Sequence, residues 1–311
     1  MIKKHPELPS DFLKKEQLFR KGRTAFLYCL NSLNLESNDI ILLPAYIGIT
    51  EKEGSGVFDP IQSKKLKFIF YRINNDFSVD LPDLYEKING GVAKAILIIH
   101  YFGFPQPAID HIAKVCKEKK IALIEDCAHA PYTVFQKKNL GSYGDLSFNS
   151  LHKFFPIPDG AGLQINNPSI ILPKVNEQDK ISFTSLELLG MFDIDRICSI
   201  RIDNYNFLVK ILKNIKKLTP VHPILPKGTV PLNCPVLITS DEKSRETLYF
   251  ELLDKGVETV ALYYRIISVI KKQQFPNSYY LSDHILNLPI HQDITKKDIE
   301  IMVKTLKKCL E

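Results

Sequence analysis

The sequence predicts an α/β fold in which a largely parallel sheet carries helices on both faces and a smaller α+β unit follows. Two observations support this prediction. Up to about residue 190, apolar runs of strand length alternate with amphipathic segments of helix length, as in parallel sheets joined by helical crossovers. Beyond it, helical segments and a proline-rich stretch dominate. With 311 residues, 45% of them hydrophobic, the chain can bury a large core.

The strands of the first unit are predicted from short apolar runs, and its helices from apolar residues three and four positions apart. In the last of these helices, for example, Ile109, Ile112 and Cys116 recur at helical spacing. The predicted strands are 39–46, 67–73, 94–103, 121–127, 145–150 and 160–166, and the predicted helices are 24–35, 81–90 and 108–120.

The second unit is predicted to consist mainly of helices around one extended, proline-rich stretch, with Ser, Asp and Gly residues marking the helix ends. We therefore expect a sheet domain of residues 1–195 and a smaller domain of residues 196–311. The helices are predicted at 195–218, 240–257 and 293–310, and the extended stretch at 219–239.

The formal charge of +6 does not indicate a nucleic-acid partner, because the lysines are spread over helical faces and are not interleaved with aromatic residues. Solvated helix faces explain most of these lysines. An anionic small molecule suits this modest positive charge better.

The sequence also bears on where the protein works. Its first residues lack the apolar stretch of a signal peptide, and no run reaches the roughly 18 apolar residues of a membrane span. The six cysteines show no CxxC spacing, so neither a metal site nor a disulfide framework is expected. We expect a cytoplasmic protein without a membrane partner.

Two stretches suggest a reaction. ALIEDCAHA ends a buried strand in Asp126, which its surroundings must keep charged, and SFNSLHKFFPIPDGAG has Lys153 three residues after Ser150. A lysine that forms a Schiff base and a carboxylate that keeps a pyridine nitrogen protonated are what a pyridoxal phosphate enzyme requires. Such an enzyme also needs a phosphate site. KGRTAF opens a helix whose unpaired N–H groups attract an anion.

At these residues the sequence resembles the DegT/StrS-type sugar aminotransferases, a pyridoxal phosphate-dependent branch of the aspartate-aminotransferase fold. The matching stretches follow the family's order. They are GRTAF, ILLPAY, IIHYFGFPQP, IEDCAHA, GSYGDLSF, SLHKFFPIPDGAG and, in the second unit, ILNLPIHQ.

The resemblance implies roles for three reactive side chains. Lys153 would carry the cofactor and then move the proton between the substrate carbon and the cofactor. Asp126 would pair with the pyridine nitrogen. His129 stands where the family usually has Gln, near the phenolic oxygen of the cofactor.

The resemblance also implies a phosphate site and a ring contact. Arg23, Thr24 and Ala25 at the start of the first helix, together with Ser150, would hold the phosphate. Tyr46 and Tyr101 are core aromatics by their type, although either could stack on the cofactor ring.

Three features depart from the family's pattern. The family has Phe or Trp, which stacks on the cofactor ring, four residues after the proline of its Pro-aromatic turn, where this sequence has Gly48. The family's GEGG after the lysine is PDGAG here. The segment that reaches into the partner subunit is not recognisable, and 182–196 stands in its place. A divergent member is therefore expected, and the resemblance implies a homodimer.

The function implied is amino transfer from glutamate to a keto sugar carried on a nucleotide. Arg23, Arg201 and Arg265 are candidates for contacts with the anionic carrier, although each could equally be a surface ion-pair partner. Two alternatives remain open. One is a sugar dehydratase, whose branch replaces the lysine with His, and His152 adjoins Lys153. The other is a degenerate, non-catalytic homologue that acts as a binding or regulatory module.

Overall fold

The structure is a computed structural model that describes residues 16–240, 242–260 and 262–311. Its strands are β1 (Gln17–Phe19), β2 (Ile40–Pro44), β3 (Lys67–Tyr71), β4 (Ala93–Ile99), β5 (Ala122–Cys127), β6 (Val134–Phe135), β7 (Lys138–Asn139), β8 (Leu146–Asn149), β9 (Ala161–Ile165), β10 (Leu218–Pro220), β11 (Cys234–Ile238) and β12 (Ile285–Leu288). Its helices are α1 (Gly22–Ser32), α2 (Phe58–Ser63), α3 (Leu81–Asn89), α4 (Ile109–Lys119), α5 (Phe183–Leu189), α6 (Ile194–Leu212), α7 (Arg245–Asp254), α8 (Pro276–His284) and α9 (Lys296–Leu310).

The largest sheet has seven strands in the order β1-β9-β8-β5-β4-β2-β3. The five strands from β3 to β8 in this order are parallel, whereas β9 runs antiparallel to β8 and β1 antiparallel to β9. Each of the six predicted strands is found, with ends shifted by a few residues. The α/β prediction is confirmed. Sequence reasoning missed β1, because three residues are too few to show a pattern.

The helices of the first unit pack on this sheet: α1 on β8 and β9, α3 on β3 and α4 on β5. Local sequence explains their ends. The Asp80 side chain accepts the Asp83 N–H at the start of α3, and Lys120 closes α4 in the left-handed conformation with φ of 57°.

A second sheet of three antiparallel strands, β10-β11-β12, forms the core of the C-terminal part. Helix α9 packs against α6 and α7, and α8 packs against β11. The predicted long helix was too long at its end, because Leu218 pairs with Ile238 in this sheet instead of continuing α6. A capping box between Thr295 and Asp298 starts α9.

The predicted division at residue 195 falls in the first turn of α6, which begins at Ile194. This division remains a proposal, and residues 1–15 of the predicted first domain lie outside the described residues. Within the described ranges, no helix combines the length and the apolar character that crossing a membrane requires.

The order of the strands sets the position of the candidate site. The chain winds from β2 outward to β3 in one direction and from β4 through β5 to β8 in the other, and open α/β sheets bind ligands beside such a change of direction, at the carboxyl ends of the strands. Asp126 in β5 lies beside Ile99 of β4 and Phe148 of β8. Asp126 is thus at the centre of that edge.

The turn after β4 is fastened to the start of the C-terminal part at Gly103. The Leu232 N–H donates to the Phe102 carbonyl at 2.8 Å, and the Thr133 hydroxyl donates to the Gly103 carbonyl at 2.7 Å. Gly103 has a φ of +99°, and a Cβ added to it would lie 2.5 Å from the Val230 carbonyl oxygen. Only glycine combines this conformation with so close an approach.

We predict that Gly103→Ala lowers the free energy of unfolding by about 2–4 kcal/mol, because the new methyl group meets backbone atoms that cannot move independently. Urea denaturation followed by circular dichroism measures the change. The matched control is Gly56→Ala, whose Cβ meets no heavy atom within 4 Å and which should stay within about 0.5 kcal/mol of wild type. Equal stability of the two variants would contradict the role given to Gly103.

Candidate active site

Asp126 is a buried carboxylate with few partners. It lies near the end of β5 with 4% of its surface exposed, and its Oδ1 accepts the Ala128 N–H at 2.8 Å. Its Oδ2 accepts no hydrogen bond from a described residue. Burial raises the pKa of Asp126 to about 6, although the Ala128 N–H and the charge of Lys153 lower it. Among the described residues, no cation forms an ion pair with this carboxylate.

Lys153 ends the 3-10 turn Leu151–Lys153 that follows β8. Its side chain is half-buried, and burial lowers the pKa of Lys153 while the charges of Asp126 and Glu53 raise it. His152 is exposed, and its Nδ1 lies 3.3 Å from the Ser150 hydroxyl and from the Gly160 carbonyl. Lys153, and not His152, thus shares a buried environment with Asp126.

The C-terminal part holds the turn that carries Lys153. The carbonyl of Phe154 accepts hydrogen bonds from Arg201 at 3.4 Å and from Gln292 at 3.2 Å. The Arg201 guanidinium also donates to the Leu232 carbonyl and lies 4.4 Å from the centre of the Phe154 ring. Arg201 is only 2% exposed, so it is not the surface ion-pair partner that the sequence left as an alternative. It holds the lysine turn instead.

The start of α1 lies next to the Ser150 side chain. A Cβ on Gly22 would lie 3.6 Å from the Ser150 Cβ, so the predicted phosphate groups Thr24, Ala25 and Ser150 share one end of the site. The Thr24 and Ala25 N–H groups donate to the Lys21 carbonyl. The N–H groups that precede them have no partner within a helix and attract an anion.

The side chain of Arg23 has a partner elsewhere. Its guanidinium lies 3.4 Å from a carboxylate oxygen of Asp59 in α2, and Arg265 likewise pairs with Glu51. For these two arginines, the structure shows the ion pairs that the sequence left as an alternative. A phosphate role for Arg23 would rest on its backbone.

His129 is buried at the same edge of the sheet, 5% exposed. Its Nδ1 accepts the Phe102 N–H at 3.2 Å, and burial, together with the charge of Lys153, holds the pKa of His129 well below its usual range. The ring is therefore neutral with its proton on Nε2. No described residue accepts a hydrogen bond from Nε2, which can donate to an oxygen of a ligand.

Glu125 adjoins Asp126 but is fully satisfied. Its carboxylate accepts the N–H groups of Gly141, Tyr143 and Gly144 and lies 3.0 Å from His100 Nε2, while His100 Nδ1 accepts the Gln106 N–H. The ligand atoms of His100, Glu125 and Cys127 lie within 4.8 Å of one another. Since both nitrogens of His100 and both oxygens of Glu125 have partners, we interpret this cluster as structural.

Four aromatic rings pack on one another beside His129, and sequence reasoning singled out only two of them. Tyr46 and Tyr101 are buried, as their type predicts, and so is Phe102. The fourth ring, Tyr263, comes from the segment before α8 and lies 5.1 Å from the centre of the Tyr46 ring. No motif marked it, because only the fold brings this segment to the sheet.

The residues present fit pyridoxal phosphate. Asp126 is a buried carboxylate that lacks a cationic partner, Lys153 is an amine whose pKa is lowered, and the start of α1 offers N–H groups to an anion beside Ser150. These are the three contacts that the cofactor requires.

Comparison with known proteins decides the family. A sequence model of the DegT/DnrJ/EryC1/StrS aminotransferase family matches residues 24–167 and 185–307. This chain belongs to that family. Members of the DegT/DnrJ/EryC1/StrS family depend on pyridoxal phosphate, and the match includes Asp126, His129, Ser150 and Lys153.

Similar proteins of known name or structure agree with this family. The GDP-perosamine synthase of Vibrio cholerae is 27% identical over 169 residues, which span 53% of this chain and 44% of that protein. The UDP-4-amino-4,6-dideoxy-N-acetyl-beta-L-altrosamine transaminase of Campylobacter jejuni is 25% identical over 290 residues, or 81% of this chain and 75% of that protein. The aminotransferase TlmJ from Streptoalloteichus hindustanus has a TM-score of 0.80 at 19% identity, covering 96% of this chain and 88% of its own. The aspartate-aminotransferase-like fold is confirmed.

The raised pKa of Asp126 predicts how the stability of the cofactor-free protein changes with pH. The folded chain binds this proton more tightly than the unfolded chain, whose pKa is near 3.8, so the contribution of Asp126 becomes unfavourable as pH rises to about 6 and above. We expect Asp126→Asn to be more stable than wild type by roughly 1–3 kcal/mol at about pH 8 and to match it near pH 4.

Urea denaturation of both proteins across this pH range measures the difference. Asp203→Asn, an exposed position within α6, is the matched control and should show no such dependence. A variant at Asp126 that is less stable than wild type at about pH 8 would show that the carboxylate has a cationic partner in the folded chain.

Proposed function

We propose that this protein transfers an amino group from glutamate to a keto sugar carried on a nucleotide. The amino group of glutamate is exchanged for the carbonyl oxygen of the sugar, which yields 2-oxoglutarate and an amino sugar. The aminotransferase family supports the reaction class, and the names of the relatives in Vibrio and Campylobacter support the substrate class. The observation that carries the proposal is the placement of Asp126 near the end of β5 and of Lys153 in the turn that follows the neighbouring strand β8.

Asp126 holds the proton on the ring nitrogen of the cofactor. When bound, pyridoxal phosphate supplies an aldehyde that condenses with amines and a protonated ring that withdraws electrons from the substrate carbon. The buried carboxylate favours a cation beside it, because burial without a partner raises its pKa. The protonated ring nitrogen is that cation.

Lys153 binds the cofactor aldehyde and later moves the proton at the substrate carbon. Both tasks need a neutral amine, and burial lowers the pKa of Lys153 in that direction. The charge of Asp126 opposes this effect by raising the pKa of Lys153. A protonated ring nitrogen beside Asp126 would reduce that opposition by neutralising the carboxylate's charge. The two groups thus adjust to the cofactor together.

His129 and Ser150 orient the cofactor. The neutral His129 ring would donate from Nε2 to the phenolic oxygen, since its Nδ1 already accepts the Phe102 N–H. The Ser150 hydroxyl and the N–H groups at the start of α1, including the backbone of Arg23, bind the phosphate, with the positive end of the helix dipole adding to the attraction.

The two alternatives that the sequence left open are less well supported. A dehydratase of this kind would need His in place of the lysine, and His152 is exposed and contacts Ser150 and Gly160 rather than Asp126. A non-catalytic module would not need a half-buried lysine and a buried aspartate at the same edge of the sheet. Both observations favour amino transfer.

The active unit is a homodimer whose second copy completes each site. The segment in the position of the family's partner-subunit segment contains α5, and its side chains Phe183 and Met191 are 72% and 78% exposed. Large apolar side chains with such exposure suit a surface that a second copy covers. The six free cysteines, five of them buried, suit the reducing cytoplasm, where nucleotide-linked sugars and glutamate would meet the enzyme.

Borohydride reduction of the protein with pyridoxal phosphate should attach the cofactor to Lys153, because reduction fixes an amine to the aldehyde that it has bound. Peptide mass spectrometry locates the attachment. Lys153→Ala should lose the label, whereas the neighbouring variant His152→Ala should keep it. Labelling at another lysine, or none in the wild type, would overturn the cofactor site.

With a panel of nucleotide-linked keto sugars and glutamate, we expect 2-oxoglutarate to form with at least one sugar. Asp126→Ala should reduce turnover by at least about a hundredfold, since the ring nitrogen then loses the partner that keeps it protonated. Coupled detection of 2-oxoglutarate measures the rate. If simple keto acids react and no sugar does, the protein is instead an amino-acid aminotransferase.

A further inference from the structure

The ring of Tyr263 lies in the candidate active site although its segment belongs to the C-terminal part of the chain. Its centre is 5.9 Å from that of the His129 ring and nearly perpendicular to it, and 5.6 Å from that of Phe102. Burial and the charge of Asp126 both raise the pKa of Tyr263. Tyr263 is thus next to His129, one of the groups that the proposed function assigns to the cofactor.

Tyr263 lies next to Gly48, the position where the family has an aromatic residue that stacks on the cofactor. A Cβ added to Gly48 would lie 3.3 Å from Cδ1 of Tyr263 and 3.6 Å from its Cγ and Cε1. The Cγ–Cδ1–Cε1 side of the ring therefore lies next to position 48 and occupies space that a larger residue there would need. Glycine at 48 and an aromatic ring at 263 are complementary.

The backbone around Tyr263 is held rigidly in an unusual conformation. Tyr263 has a φ of 60°, which is uncommon for a residue other than glycine. Four successive carbonyls each accept a hydrogen bond from another segment, which fixes this conformation. They are Leu262 from the Asn287 side chain at 3.0 Å, Tyr263 from the Tyr46 hydroxyl at 3.1 Å, Tyr264 from the Ser282 hydroxyl at 2.9 Å, and Arg265 from the Ile49 N–H at 3.2 Å.

Among the four rings, Tyr263 alone belongs to a residue that is not fully buried. Tyr46 and Phe102 are 0% exposed and Tyr101 is 2% exposed, whereas Tyr263 is half-buried. The hydroxyls of Tyr46 and Tyr101 donate to backbone carbonyls, while the Tyr263 hydroxyl has no hydrogen-bond partner among the described residues. Tyr263 packs against the three buried rings.

We propose that Tyr263 is the aromatic group that contacts the ring of pyridoxal phosphate, and that Gly48 is glycine because it must leave room for Tyr263. The proposal rests on the cofactor site of the proposed function. It assigns the ring contact to the C-terminal part of the chain, so that both parts of the protein touch the cofactor. Neither Tyr46 nor Tyr101 takes this role, since both rings are covered.

The test compares two substitutions that differ in aromatic character. Tyr263→Phe keeps the ring and should bind pyridoxal phosphate within about twofold of wild type. Tyr263→Leu keeps a bulky apolar side chain without the ring, and its dissociation constant should rise about threefold to tenfold, as expected for one lost aromatic contact. Equilibrium dialysis with pyridoxal phosphate measures the constants, and no turnover is needed.

The matched control is Tyr264→Leu, the neighbouring tyrosine whose ring lies near Arg245 and Arg265 instead, and it should retain wild-type affinity. Equal affinities for Tyr263→Leu and wild type, or equal losses at both tyrosines, would overturn the proposal.

If Tyr263→Leu does not fold, Gly48→Ala replaces it. The new methyl group pushes the ring away from position 48 and should weaken binding of pyridoxal phosphate. Unchanged affinity would contradict the proposal. A wild-type protein that does not bind the cofactor at Lys153 indicates failure of the proposed function instead.

Discussion

The buried charge of Asp126 is the constraint on which the site depends. Two carboxylates follow one another in β5, and alternation along a strand directs them to opposite faces of the sheet. Glu125 has four hydrogen-bond donors, whereas Asp126 has the N–H of Ala128 alone. Of these two neighbouring carboxylates, Glu125 thus has all its hydrogen bonds within the protein, whereas Asp126 does not. Asp126 requires a cation to balance its charge.

The surrounding strands and turns fix the positions of Asp126 and Lys153. Parallel pairing fixes Asp126 between β4 and β8, and the turn after β8 brings Lys153 close enough for the two charges to interact. Arg201 holds that turn by donating hydrogen bonds to the backbone carbonyls of Leu232 and Phe154. It forms no ion pair with a carboxylate of a described residue. Burial lowers the pKa of Arg201 to about 10. It still remains charged, because its usual value is far above neutral pH.

The sequence predicted what local pattern and ordered motifs encode. Six of the seven strands of the sheet follow from apolar runs. Asp126 was proposed because it ends such a run, and Lys153 because it lies three residues after Ser150. The parts that were missed depend on distant contacts. Nothing near Tyr263 indicates that its ring reaches Gly48, and Arg201 lies on a long helix whose pattern does not show that its guanidinium is buried. The length of α6 was overestimated for the same reason, since only pairing with β11 turns Leu218 into a strand residue.

Hydrogen bonds between residues far apart in the chain hold the site together, and this also affects when during synthesis the enzyme can bind its cofactor. The hydrogen bond between Tyr46 and Tyr263 spans 217 positions of the chain, and that between Gln292 and Phe154 spans 138. Contacts of such separation form late, because the entropy of closing the intervening chain must be overcome first. During synthesis, the sheet can assemble long before residue 292 leaves the ribosome. Competence to retain the cofactor is therefore expected to arise only after nearly the whole chain has been made.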